Sequence, residues 1–422
     1  MRKMKNSGIE WIGEIPEDWE VGRIGELYTE RKEKVSDKDF MPLSVTMKGI
    51  LPQLASAAKS DAHDDRKLVK KGDFAINSRS DRRGSCGISD YDGSVSLINT
   101  ILTPRNNMNP NYYNWLFHTT LFADEFYKWG HGIVDDLWTT NWSDMKNITI
   151  PVPLVTAQQK IADFLDKKCS EIDSVISKTR ETIEEYKKLK QSIITEVVTG
   201  KVKIENGKVC GTYDTYKDSG IEWIGEIPSK WNCFYLSQIF SPVKNKNIGM
   251  QETNLLSLSY GKIIRKNIET TFGLLPENFE GYNIIERDNI VLRLTDLQND
   301  HKSLRVGLVT EKGIITSAYL TLKNKTNMSS NYFYYLLHSF DIAKGFYGMG
   351  AGVRQGLNWN EIRSLRIISP KESFDQQQIA DFLDNKCSEI DKLITKKEQL
   401  VVELEAYKKS LIYEVVTGKR SV

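Results

Sequence analysis

The chain of 422 residues carries 58 Lys and Arg against 56 Asp and Glu, with 40% apolar and 27% charged residues. That length allows two to four domains with a real core, and charges that nearly cancel exclude a whole-chain field advertising a nucleic-acid or membrane partner. No stretch approaches ~18 consecutive apolar residues, the N-terminus MRKMKNSGIEW lacks the apolar run of a secretion signal, and five cysteines without a C-x-x-C pair are expected to be free thiols of a cytoplasmic protein.

In chain order, the first element is a motif, SGIEWIGEIP at residues 7–16, followed by Trp19. A variable region (21–150) comes next, with short β-rich runs such as DFAINSRS and SLINTILTP. It ends in an aromatic helical stretch, NYYNWLFHTTLFADEF, and a turn at Gly130-His131-Gly132. A long helix is expected within residues 151–201. Its apolar residues Ile161, Leu165, Cys169, Ile172, Ile176, Ile183, Tyr186, Ile193 and Val197, with Thr179, step alternately by four and three, a heptad seam that Lys190 interrupts. Thr156-x-x-Gln159 reads as a capping box at its start, and Gly200 as its stop.

After a linker the same order begins again. Residues 202–231 hold the linker and a second SGIEWIGEIP at 219–228, ten identical residues of ten, with Trp231 after it. The second variable region (232–370) has the runs NIVLRL and AYLTL, then NYFYYLLHSFDIAKGF and the turn Gly350-Ala351-Gly352. A second long helix (371–422) opens with QQQIADFLDNKCSEID, identical to residues 158–173 at 14 of 16 positions, and ends in EVVTGK at Glu414, which the first helix also carries at Glu196. Its seam is Ile379, Leu383, Cys387, Ile390, Ile394, Val401, Leu404, Leu411 and Val415, with Lys397 and Lys408 as exceptions and Ser373-x-x-Gln376 as its capping box. The chain is thus two tandem copies that agree in scaffold and differ in their variable regions. The expected fold is two α/β (α+β) domains joined by two long antiparallel helices in a coiled coil, a pseudo-twofold device with rods of about 60 Å. Two different readers on one scaffold suit a target with two unlike half-sites.

The repeated SGIEWIGEIP with its downstream tryptophan, followed by QQ-x-IA-x-FLD-x-K-x-x-x-ID opening a long helix, resembles the specificity subunit of type I restriction-modification systems, over essentially the whole chain. The resemblance implies a non-catalytic subunit whose variable domains are target recognition domains, each reading half of a bipartite, asymmetric sequence in double-stranded DNA. It further implies that the helices set the spacer and dock two methyltransferase subunits, with restriction and translocase subunits joining through them. S-adenosylmethionine, ATP and Mg would then serve those partners, with no cofactor in this chain and no membrane. A methylation-only relative, a protein-interaction scaffold and a methyltransferase stay open as alternatives.

Candidate site residues follow from charge and chemistry. Residues 66–83 hold seven basic side chains against two acidic ones. Arginine's planar fork reads guanine or clamps phosphate, so Lys70, Lys71, Ser78, Arg79, Arg82 and Arg83 are the DNA-binding candidates of the first domain. The second domain is balanced, seven basic and seven acidic residues over 262–305. Its candidates are Arg293, Thr295, His301, Lys302, Arg305, Arg354 and Gln355. Trp11 and Trp223 are candidates for partner binding or for packing on the helix ends, and Glu184 and Glu185 for docking on an outer helix face. Asn109-Pro110-Asn111-Tyr112 is one residue from the N-P-P-Y of amino-methyltransferases but reads better as the turn that opens the aromatic helix. Gly348-Met349-Gly350 follows a helix and reads as its cap. No histidine spacing suggests a metal, and Cys169 and Cys387 belong on the seam.

Overall fold

In the computed structural model, residues 3–53, 64–132, 138–268, 278–300, 302–347, 349 and 356–422 are described. The chain divides into two compact units, residues 1–180 with 398–422, and residues 181–397. The long helices run Val155–Val198 and Ser373–Val416, so each contributes to both units.

Each unit holds one SGIEWIGEIP motif, which folds as a hairpin. Met4–Ile9 pairs with Gly13–Pro16, and Tyr216–Asp218 with Glu226–Pro228, both antiparallel. The hairpin then seats on the end of a long helix. Gly418 has φ +73°, and a β-carbon there would stand 2.4 Å from Pro16 Cδ and 3.0 Å from the Trp19 ring. Gly200 has φ +75° and stands equally close to Pro228, with Trp231 at 3.3 Å. Only glycine combines the left-handed turn with that approach, which is why both EVVTGK segments carry it. The end of the chain closes on the first motif as the interior helix end closes on the second.

The heptad seams are buried as expected. In the first unit Ile161, Leu165, Cys169, Ile172 and Ile176 pack with Val401, Leu411 and Val415. In the second, Ile183, Ile390 and Ile394 form one cluster, and Ile194 joins Ile379, Leu383 and Cys387 in another. Arg180 reaches Glu405, and Lys408 reaches Asp173, in the first unit. Positions rise on one helix as they fall on the other, so the pair is antiparallel. Two of the three lysines that interrupt the seams are paired across them. Lys190 meets Asp391 at 2.7 Å and Lys408 meets Asp173 at 2.6 Å.

The expected capping boxes do not form. The first helix opens at Val155, one residue before Thr156, and the Gln159 carbonyl accepts from Asn109 Nδ2 at 2.6 Å. Gln376 lies past the first turn of its helix, accepts from the Ser329 N–H and donates to the Pro370 carbonyl. Gln158 does the same with the Asn109 N–H and the Pro153 carbonyl. These glutamines tie the long helix to the aromatic helix instead of capping it.

Each lobe is built on a four-stranded antiparallel sheet in the same order. In the first the strands are Cys86–Ile88, Phe74–Asn77, Asn99–Pro104 and Tyr28–Glu30. In the second they are Val306–Leu308, Ile290–Leu292, Leu320–Asn324 and Phe240–Pro242. The aromatic stretch covers the sheet, burying Tyr112, Tyr113, Phe117, Phe122 and Phe126 in the first lobe and Tyr332, Phe333 and Leu336 in the second. At about 2–3 kcal/mol for a fully buried large apolar side chain, this layer is a main source of each lobe's stability. It is one helix in the second lobe, Ser330–Ile342, and two in the first, Pro110–Phe117 and Thr120–Lys128. The break follows from one hydroxyl. Thr119 caps the second helix by accepting from the Phe122 N–H, whereas the corresponding Ser339 bonds Thr195 of the long helix.

Trp11 packs edge-on against Phe122 at 6.0 Å and Trp223 against Phe340 at 5.3 Å. Of the two roles open to these tryptophans, packing of motif on lobe is the one the structure displays.

Candidate nucleic-acid interface

At one end of each sheet the same construction recurs. In the first lobe the hairpin loop of residues 78–85 is closed by Asn77 N–H donating to the Ser85 carbonyl at 2.9 Å. Thr140 N–H donates to the Ser78 carbonyl at 3.0 Å, and the Tyr127 hydroxyl to the Asn77 carbonyl at 3.2 Å. In the second lobe the loop of residues 294–304 is closed by Arg293 N–H to the Arg305 carbonyl at 2.9 Å, and Leu357 N–H donates to the Leu294 carbonyl at 2.8 Å. Tyr347, the counterpart of Tyr127, donates to the Asp300 carbonyl at 3.1 Å. A hairpin loop and the chain leaving the aromatic helix thus share one edge, stitched by backbone hydrogen bonds. A rigid frame carrying variable loops at its rim is a usual way to display recognition side chains.

The basic run of the first lobe is distributed rather than clustered. Arg66 lies inside, with its guanidinium on Ser94, and Lys67 donates to the Asn99 carbonyl; burial lowers the pKa of both. Ser78, expected to contact DNA, is 4% exposed and shares a hydrogen bond with Thr100 at 2.9 Å, so its hydroxyl is spent in the core. Lys70 and Lys71 are exposed, but at the far end of Phe74–Asn77 from the loop, about 13 Å away at ~3.3 Å per residue. Arg79, Arg82 and Arg83 share the loop around the short 3-10 turn Ser80–Arg82. Arg82 is exposed beside Asp81 at 3.6 Å. Arg83 bonds Asp124 at 2.5 Å and lies 5.5 Å over the Tyr127 ring. Arg79 bridges in backbone to Thr139, as does His131, placing both on the same edge.

In the second lobe Thr295 and Lys302 are exposed on the loop, and Arg293 is half-buried, 3.5 Å from Asp300. Asp300 is held down to about 2 by the hydroxyl and N–H of Ser303, so it stays anionic. Arg305, expected to reach DNA, is fully buried and bonds loop carbonyls. That expectation fails because a charge count does not reveal which arginine the loop folds around. Gln298 and Asn299, both exposed on this loop, were not singled out by sequence reasoning; the LQND run in a charge-balanced region was their only signal. His301, Arg354 and Gln355 lie outside the described residues, as do Gly348 and residues 350–352.

Glu184 and Glu185 are exposed on the outer helix face, Glu184 paired to Lys187 at 2.8 Å. Asn109 caps the aromatic helix, accepting from Asn111 and Tyr112 N–H with Pro110 at the first helical position, so N-P-N-Y is a helix start. Among the described residues no group of three or more His, Cys, Asp or Glu is placed to hold a metal, and no helix is long and apolar enough to cross a membrane.

Comparison with known proteins gives the edge a context. Residues 16–185 match the type I restriction modification DNA specificity domain. Over 96% of its length the chain is 23% identical to 93% of the type I restriction enzyme MjaVIII specificity subunit of Methanocaldococcus jannaschii. A chain from a solved structure titled for complex assembly and conformational transition of a type I restriction-modification system superposes with TM-score 0.70 at 13% identity, covering 96% of this chain and 99% of that one. The specificity subunit structure from Thermoanaerobacter tengcongensis gives TM-score 0.54 at 13% identity over 96% and 98%. At that identity the structures establish a shared fold.

Proposed function

The chain belongs to the specificity subunits of type I restriction-modification systems, and from that premise we propose that each variable lobe reads one half of a bipartite DNA target through the edge just described. The subunit recognises DNA and assembles with other subunits of its complex; it is the non-catalytic member. The observation that carries the reading is the paired edge itself. Two lobes of one topology, on scaffold segments that are nearly identical, differ where the hairpin loops lie. Residues 78–85 carry three arginines, and residues 294–304 carry Thr295, Gln298, Asn299 and Lys302.

In this reading Arg79 and Arg82 in the first lobe, and Gln298, Asn299 and Lys302 in the second, contact DNA, with lysine holding phosphate and amide or guanidinium groups reading base edges. Lys70, Lys71, Ser78 and Arg305 stand outside the contact set. Two methyltransferase subunits dock on the outer helix faces near Glu184 and Glu185, and restriction subunits join through them. S-adenosylmethionine, ATP and Mg belong to those partners, and the complex works in the cytoplasm. The test is binding of the reconstituted complex to duplexes of varied sequence at moderate salt. A strong preference for one bipartite sequence is expected; equal affinity for all would overturn the reading.

A further inference from the structure

The second lobe's loop is wound around one side chain. A guanidinium has five N–H donors, and all five of Arg305 have acceptors. Nε donates to the Tyr347 hydroxyl at 3.1 Å, Nη1 to the carbonyls of Arg293 (3.1 Å) and Thr295 (2.8 Å), and Nη2 to those of Asp296 (3.4 Å) and Asp300. The guanidinium also lies 5.0 Å from the Tyr347 ring centre, and the Arg305 N–H donates to Asp341 Oδ2 at 2.7 Å. Arg305 is 0% exposed. Asp296 takes φ +57° to turn its carbonyl toward this group. With the loop's carbonyls drawn inward, the exposed side chains among its described residues are Thr295, Asp296, Gln298, Asn299 and Lys302.

We infer that Arg305 is a positioning residue for base reading: it never meets DNA, but sets the loop conformation that displays Gln298 and Asn299. Amide side chains of this kind are suited to the N6 and N7 edge of adenine. The inference rests on the recognition reading above. It is particular to the second lobe, because Ser85 occupies the corresponding place in the first, where the loop is four residues shorter (residues 77–85 against 293–305) and Arg83 meets Tyr127 from an exposed position. Lysine cannot substitute, since its three donors radiate from one atom and do not match a planar fork.

The test uses the full chain assembled with its methyltransferase partner, and three duplexes: the complete target, and the target with either half-site scrambled. For Arg305→Lys, discrimination at one half-site should fall by about 20-fold, the scale of one lost bidentate base contact. The other half-site should keep its discrimination within about twofold, and the salt slope on fully scrambled DNA should not move, because no phosphate contact is touched. Tyr347→Phe removes one acceptor, keeps the ring, and should give a smaller loss at the same half-site. Unchanged discrimination in Arg305→Lys overturns the inference, as does an equal loss at both half-sites. A wild-type complex that prefers no sequence overturns the recognition reading instead.

Discussion

Lys190 on the first long helix and Asp391 on the second stand 2.7 Å apart across a mainly apolar seam. Each lies 218 residues from a member of the second such pair, Lys408 and Asp173, at 2.6 Å. One polar step in a heptad seam fixes register at some cost in stability, and here it recurs once in each unit. Both pairs are partly exposed, so each is worth about 0.5–1 kcal/mol after solvent screening. Lys190→Glu should lower the melting temperature of the second unit, and adding Asp391→Lys should restore most of it. A double-mutant cycle without coupling would remove the pair's role.

Gly418→Ala should destabilise the first unit by about 3 kcal/mol. The estimate combines the left-handed backbone penalty with overpacking against Pro16 and Trp19. Gly200→Ala should do the same to the second unit. Calorimetry of each variant should show one transition displaced and the other retained; no displacement in either would mean the hairpin can leave the helix end freely.

Tyr112 and Tyr332 donate their buried hydroxyls to the helix carbonyls of Val416 and Val198 at 2.8 and 3.0 Å. Replacing either by Phe leaves a buried carbonyl short of a partner and should cost about 1–2 kcal/mol. Tyr332→Phe should cost less, because Ile368 shares its hydroxyl and the Val198 bond is the longer. Chemical denaturation compares the two; equal and negligible effects would contradict the assignment.

Burial holds the His338 imidazole down to about 4, with Lys190 adding to the effect. The native state therefore binds fewer protons than the unfolded chain between pH 6.5 and about 4. The stability contribution is complete above pH 6.5 and is lost as pH falls through that window, by up to about 3 kcal/mol. His338→Gln should flatten the fall in melting temperature between pH 7 and pH 5. An unchanged slope would place the acid sensitivity elsewhere.

Arg82→Ala should weaken DNA binding of the assembled complex by about tenfold, the lower range for a lost specific contact. Lys70→Ala, at the other end of the strand, should leave it within twofold. Ser78→Ala should reduce stability rather than DNA affinity, because its hydroxyl belongs to Thr100. Titration of a labelled duplex separates the three; a Lys70 effect larger than that of Arg82 would place the reading surface elsewhere.

The scaffold was legible because its signals are local and repeated. The 3-4 spacing of Ile161 to Val197 and of Ile379 to Val415 leaves one seam to bury, and the glycines of EVVTGK mark helix ends. The glutamines misled because a capping box and a tertiary anchor share one spacing. The split at Thr119 and the continuity at Ser339 depend on which partner a hydroxyl meets across the fold, which no local pattern records. At the edge proposed to read DNA, a basic count singled out Arg79, Arg82 and Arg83, which share one loop. It could not separate them from Arg66, which lies inside, or see that Arg305 gives its guanidinium to loop carbonyls and the Tyr347 hydroxyl. Direction of a side chain is a tertiary property.

The most direct measurement exchanges residues 21–150 for the variable lobe of another specificity subunit and maps methylated adenines genome-wide in cells carrying the complete system. A single bipartite motif should appear with the native chain, and the exchanged chain should alter one half of that motif while the other half and the scaffold-set spacing persist. Methylation that ignores the exchange, or that changes in both halves at once, would contradict separate reading by the two lobes.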